Sequence, residues 1–137
     1  MNRLSQLRDA GVSIWLDTLS RPLLETGDFA RLVHEQAVTG ATSNPTIFAK
    51  AITGSNRYND QLRAAVSGGL HSPRELFFEL GLEDIRRAAE VLRPAYDATQ
   101  GKDGFVSFEC TPDLADDTDA TPATGSPAAA RRSSPVR

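Results

Sequence analysis

Three short apolar runs in this sequence each carry, at or near their end, a side chain able to move a proton or hold a hydroxyl. VSIWLD (12–17) closes on Asp17, GATSN (40–44) closes on Asn44, and FVSFEC (105–110) carries Glu109 just before its end. Short β-branched and aromatic runs of this kind read as strands. Side chains two apart on a strand share a face. Trp15 therefore goes with Asp17, Thr42 with Asn44, and Ser107 with Glu109, while Ile14, Leu16, Val106 and Phe108 take the opposite face. In parallel α/β folds ligands bind at the C-terminal ends of the strands, and barrel enzymes place their catalytic groups there. Two carboxylates and an amide converging on one such mouth can serve as acid, base and hydroxyl anchor.

Taken singly, each residue has a plainer reading. Asp17 can cap the segment TLSRP, Thr-Ser-Asn-Pro can be an ordinary Asx turn, and Glu109 can be a solvated strand end. Only their coincidence in register favours a site. The other reactive residue types read as structure: His34 as the surface of a helix, His71 as a solvated turn, Cys110 as a small, partly buried residue. Trp15 reads as core rather than as a ligand platform. No metal-ligating pattern stands out.

The elements that must position these groups follow from periodicity and punctuation. A helix is expected over 2–10, with Leu4 and Leu7 on one face and Gly11 as its stop. Another covers 28–37, where Phe29, Leu32 and Val33 recur at helical spacing. A third spans 56–67, with Tyr58, Leu62 and Val66 four apart. Ser72-Pro73-Arg74-Glu75 is a capping box that opens a helix through Leu80. A further helix over 83–93 places Ile85, Ala88, Ala89 and Leu92 on one face. Gly101 and Gly104 flank a turn before the third strand, and DDTDAT resembles a helix start that is not continued. Strands alternating with helices imply a parallel sheet with right-handed crossovers, and hence a barrel or an open α/β sheet.

Composition bounds the reading further. A chain of 137 residues has the length of one domain. Its 15 basic and 18 acidic residues give a net charge of −3, which offers no basic field for nucleic acid. No apolar run reaches the roughly 18–20 residues of a membrane span. MNRLSQLRDAG lacks the pattern of a signal peptide, and a lone cysteine fits a reducing compartment, so a soluble cytoplasmic protein is expected. No internal repeat is present. The charge is unevenly spread: all 18 acidic residues lie at or before Asp119. The segment ATPATGSPAAARRSSPVR (120–137) has no acid, no aromatic and one branched aliphatic, Val136. Such a segment buries too little apolar surface to offset its ordering entropy. The expected organisation is a folded part over 1–119 and a disordered low-complexity tail over 120–137.

VSIWLDTLSR, VTGATSNPTIFAKAI and DIRRAAEVLRPAYDATQGKDGFVSFE resemble the N-terminal part of a transaldolase, most closely the longer form found in actinobacteria and related bacteria. The resemblance covers about residues 3–121, and GATSNPTIF is similar to the family's first signature at every position. It implies a cofactor-free (β/α)8 TIM barrel of the pentose phosphate pathway, of which this chain holds strands one to three. The implied reaction moves a dihydroxyacetone unit from sedoheptulose 7-phosphate to glyceraldehyde 3-phosphate through a Schiff base on a fourth-strand lysine. Asp17 matches the aspartate that handles the hydroxyl proton during carbon–carbon cleavage and formation. Glu109 matches the glutamate that acts with a water in making and breaking the imine. Asn44 matches the asparagine that holds substrate hydroxyls, with Thr42 on the same face. Cys110 stands where the family more often has an aliphatic residue.

The resemblance also implies an absence. A Schiff-base lysine needs a desolvated, interior position to be neutral near pH 7. Lys50 follows Ile-Phe-Ala in a helix after the Asn-Pro turn, and Lys102 lies in a Gly-Lys-Asp-Gly turn. Neither matches the family's lysine, whose segment this chain does not contain. The expectation is therefore a truncated, inactive transaldolase whose tail reads like a gene translated out of frame near codon 121. Its partners would be sugar phosphates, with no nucleic acid and no membrane, and open sheet edges invite self-association. The alternative is a non-catalytic fragment acting as a binding or regulatory module. A different Schiff-base aldolase using Lys50 is the third reading.

Overall fold

The computed structural model describes residues 2–109. The expected tail at 120–137, the DDTDAT segment and Cys110 lie outside the described residues. The chain opens with helix α1 (Arg3–Asp9), whose cap Asn2 accepts a hydrogen bond from the Ser5 N–H at 2.7 Å. Gly11, at φ +90, turns the chain toward strand β1 (Trp15–Leu16). Helices α2 (Arg21–Glu25) and α3 (Asp28–Glu35) lead to β2 (Gly40–Ser43). Helices α4 (Pro45–Thr53), α5 (Asn59–Ser67) and α6 (Pro73–Ala98) then precede β3 (Phe105–Phe108). The three strands form one parallel sheet in the order β1-β2-β3, with Trp15, Gly40 and Phe105 in one row and Thr42 beside Ser107. This is the arrangement of consecutive βα units in a (β/α)8 barrel.

Some bounds shift by a few residues, α5 starting at Asn59 rather than 56 and α3 ending at Glu35 rather than 37, and two elements differ more from the sequence-based expectation. The first strand is only two residues long rather than 12–17. Its ladder starts one step earlier through a side chain: the Thr39 N–H donates to the Ile14 carbonyl at 2.8 Å, while the Ile14 N–H donates to Thr39 Oγ1 at 3.1 Å. The hydroxyl takes the place of a backbone acceptor, so the strand pattern begins only at Trp15. The helices expected at 73–80 and 83–93 are one helix of 26 residues, capped by Ser72 through the Glu75 N–H. Gly81 does not break it. A Cβ there would lie 2.9 Å from Phe108 Cζ and 3.3 Å from Phe48 Cε1, so the glycine lets the helix approach two rings. Pro94 sits inside the helix and cannot donate to the Glu90 carbonyl, but both residues are exposed, where water can supply the donor. Helix α2, with Ser20 as cap and Pro22 in its first turn, was not expected at all.

The two faces of the sheet differ. Leu16, Ala41 and Val106 point toward a cluster formed with Leu19, Phe29, Ala88 and Leu92. Phe108 joins a second cluster with Phe48, Tyr58, Leu80 and Phe77, in which the rings meet edge to face at 5.3–6.0 Å. On the opposite face Trp15 and Phe105 are exposed, at 42% and 44%. Trp15 is thus not core among the described residues. Its indole lies over Gly40, where a Cβ would come within 2.6 Å of its Cδ2 atom. The reason is that no described layer stands across that face.

Between the two clusters lies a buried ion pair. Arg21 Nε donates to Asp84 Oδ1 at 2.8 Å, and the side chains are 4% and 0% exposed. Tyr58 donates its hydroxyl proton to Asp84 Oδ2 at 2.8 Å. Burial raises the Asp84 carboxyl above its ordinary value, opposed first by the hydrogen bond from Arg21, and burial likewise raises the Tyr58 phenol.

Candidate active site

The site is assembled from the C-terminal ends of the three strands. Asp17 directly follows β1, Asn44 directly follows β2, and Glu109 directly follows β3. The register carries past the last paired residues: the Glu109 N–H donates to the Ser43 carbonyl at 3.1 Å, so the ladder extends to Glu109 itself. Thr42 and Ser107 pair on the face opposite the helical clusters, as strand alternation requires, while Asp17 stands in the bend just past β1 and Asn44 in the turn into α4.

Two of these groups touch. The Thr42 hydroxyl donates to Glu109 Oε1 at 3.4 Å, a long bond across neighbouring strands that holds the carboxylate over the sheet. Asn44 has a double position. Its Oδ1 accepts from the Ile47 N–H at 2.9 Å and so caps α4, which has Pro45 at its first position. The plainer reading of Thr-Ser-Asn-Pro is therefore true of one end of this side chain. The cap pins the carbonyl oxygen and leaves the amide nitrogen as the group able to donate to a ligand. Asp17 is exposed, and its side chain makes no hydrogen bond among the described residues. It does not cap the segment that follows, because Ser20 does so through the Leu23 N–H at 3.3 Å.

The two lysines lie elsewhere. Lys50 is exposed in the last turn of α4, and Lys102 is exposed in the turn before β3. Neither side chain is on a strand or desolvated. His34 and His71 are exposed as well. Among the described residues no group of His, Cys, Asp and Glu could hold a metal ion, and no helix is long and apolar enough to cross a membrane.

What sequence inspection missed is the buried group behind the site: Arg21, Tyr58 and Asp84. One signal was present. Leu80, Asp84, Ala88 and Leu92 are spaced by four and all buried, so an acid sits within the apolar stripe of α6. The stripe was expected to include Ala89, which is exposed instead.

Three parallel strands in chain order, backed by helices on one face, are consistent with a fragment of a (β/α)8 barrel. Residues 14–130 match the family model "Transaldolase/Fructose-6-phosphate aldolase". The chain is similar to a transaldolase from Acidothermus cellulolyticus, 51% identical over 118 residues, which is 86% of this chain and 32% of the relative. Another, from Thermobifida fusca, is 50% identical over the same coverage. A protein called transaldolase 2, from a Nostoc species, is 41% identical over 121 residues, 88% of this chain and 32% of its own length. The chain belongs to the transaldolase/fructose-6-phosphate aldolase family. It spans about a third of the length of these relatives.

Proposed function

We propose that these residues form the N-terminal share of a transaldolase site. In this reading Asp17 takes and returns the hydroxyl proton at the carbon–carbon bond. Glu109, steadied by Thr42, acts with a water at the imine, and the free amide of Asn44 together with Thr42 holds substrate hydroxyls. The substrates would be sugar phosphates, sedoheptulose 7-phosphate and glyceraldehyde 3-phosphate, and the compartment the cytoplasm. The observation that carries the reading is the placement of Asp17, Asn44 and Glu109 directly after three successive parallel strands, with Thr42 bonded to Glu109. In this reading the amine that forms the Schiff base lies outside these 137 residues, which is supported by Lys50 and Lys102 both being exposed and off the sheet. The 137-residue polypeptide alone is therefore expected to be inactive.

Two measurements test this. The polypeptide is incubated with fructose 6-phosphate and erythrose 4-phosphate, then with borohydride, and is expected to show neither turnover nor a trapped adduct. An adduct at Lys50 would support a different Schiff-base aldolase. Separately, residues 2–109 replace the matching segment of the Acidothermus relative. The hybrid is expected to turn over, and Asp17→Asn and Glu109→Gln each to lower kcat by about 10²–10⁴-fold, the usual contribution of a positioned acid or base. A hybrid that keeps full activity with either substitution rejects the assigned roles. A hybrid that is well folded but inert favours a non-catalytic binding module.

A further inference from the structure

The Arg21–Tyr58–Asp84 cluster takes no part in the chemistry proposed above, and it is closed to ligands. Arg21 is 3% exposed and Asp84 0%, and the donors and acceptors face one another. Arg21 Nε donates to Asp84 Oδ1 at 2.8 Å and Nη2 to the Leu80 carbonyl at 3.3 Å, while the guanidinium carbon stands 4.4 Å over the Tyr58 ring. The backbone is held too: the Arg21 N–H donates to the Tyr58 hydroxyl oxygen at 2.8 Å. That hydroxyl in turn donates to Asp84 Oδ2 at 2.8 Å. Main chain and side chain of one residue are thus fixed together by α6 and by the residue that leads into α5.

The position of Arg21 gives this arrangement a consequence. Strand β1 is two residues long and, among the described residues, is paired only with β2. Asp17 leaves it with no side-chain hydrogen bond of its own. Four residues later the chain reaches Arg21, with Leu19 fully buried between them. Asp17 is therefore held from both ends, by a short strand before it and by the Arg21 clamp after it. The same α6 that supplies Asp84 and Leu80 leads through a short turn into β3 and Glu109. A directional fork fixes an angle as well as a distance, which an apolar contact does not. We infer that Arg21, Tyr58 and Asp84 are positioning residues that set where Asp17 stands relative to Thr42 and Glu109. The inference rests on the proposed role of Asp17, but its test does not depend on turnover.

The chain has one tryptophan, Trp15, two residues before Asp17. Its fluorescence quenching and the hydrogen exchange of the residue-21 amide are measured on the 137-residue chain, on Tyr58→Phe, on Arg21→Lys and on the control Leu62→Ala. Leu62 packs in the Tyr58 cluster and makes no bond to Arg21. The Arg21 N–H is bonded to the Tyr58 hydroxyl, and loosening that buried bond should speed its exchange about five- to tenfold in Tyr58→Phe and Arg21→Lys. Trp15 quenching should rise in the same two variants, while Ala41 and Val106 amides keep their rates. Leu62→Ala should lower the urea midpoint with the residue-21 amide keeping its protection relative to β2. Loss of that protection only in proportion to overall stability, the same in all three variants, or Trp15 quenching unchanged in Tyr58→Phe and Arg21→Lys, overturns the inference. So does an unmodified chain in which the residue-21 amide exchanges at its random-coil rate.

Discussion

Replacing Gly104 by alanine tests how tightly α6 presses on the strand that carries Glu109. Gly104 has φ +88, a region in which a Cβ costs about 1–2 kcal/mol. A Cβ there would also overlap the Tyr96 backbone nitrogen and lie 2.7 Å from its Cα. Those are main-chain atoms, so no side-chain rotation relieves the overlap and the end of α6 must move. Overpacking of this kind costs about 1–3 kcal/mol. The Gly104 N–H donates to the Thr39 carbonyl at 2.9 Å, joining β3 to β2, and displacement puts this bond at risk for about 1 kcal/mol more. The expected loss is about 3–6 kcal/mol, a large share of the ~5–15 kcal/mol that holds an ordinary domain together. Gly27 supplies the control. It has φ +80 with nothing within 4 Å of its Cβ position, so Gly27→Ala should cost only the conformational part, about 1–2 kcal/mol. Urea unfolding followed by circular dichroism measures both. Equal losses in the two variants would refute the claim that the Tyr96 contact, rather than the backbone angle, makes Gly104 obligatory.

Acid should weaken the fold through Glu25. The hydrogen bond from Arg57 is the main influence holding its carboxyl below the ordinary 4.5, with Arg57 and Arg87 charges adding and slight desolvation opposing. A folded pKa below the unfolded one means full stabilisation above about pH 4.5, lost as pH falls through the folded value. Glu25→Gln should flatten that arm of a stability-versus-pH curve, by a small amount because the group is largely exposed; an unchanged slope rejects the assignment. The outer edges of β1 and β3 are unpaired within the described residues, and the Trp15–Gly40–Phe105 row is open. Sedimentation should show the average mass of the 137-residue chain rising with concentration, and Trp15→Lys should reduce the rise. A single monomeric species at every concentration would count against it.

Much of the architecture was legible because it is locally encoded. The helix cap at Ser72, the glycine at position 11 and the period-two runs at 40–44 and 105–108 each act through neighbours within a few residues. Asp17, Asn44 and Glu109 could be expected at one end of the sheet because parallel strands share one polarity, and each directly follows its strand. What stayed hidden depends on contacts distant in sequence. Gly81 looked like a boundary because the rings of Phe48 and Phe108 that explain it lie 33 and 27 positions away. Trp15 looked like core because its residue type says nothing of what stands across the sheet. Arg21 follows a cap and Tyr58 fits a helical stripe, so neither shows in isolation that it shares a buried carboxylate.

The Arg21–Asp84 bond also sets an order of events. Its partners are separated by 63 positions, so the segment around Asp17 cannot be locked until α6 has been made and has docked. Until then Arg21 is a cation awaiting its counter-charge, and the first βα unit has only its apolar contacts to hold it. Pairings so far apart come late because the intervening loop must close first. On a chain emerging from synthesis, the strand made first would take its final place only once α6, made much later, has docked. A stall before residue 84 would leave an early piece with its acid-bearing loop unset, a natural target for chaperones and proteases.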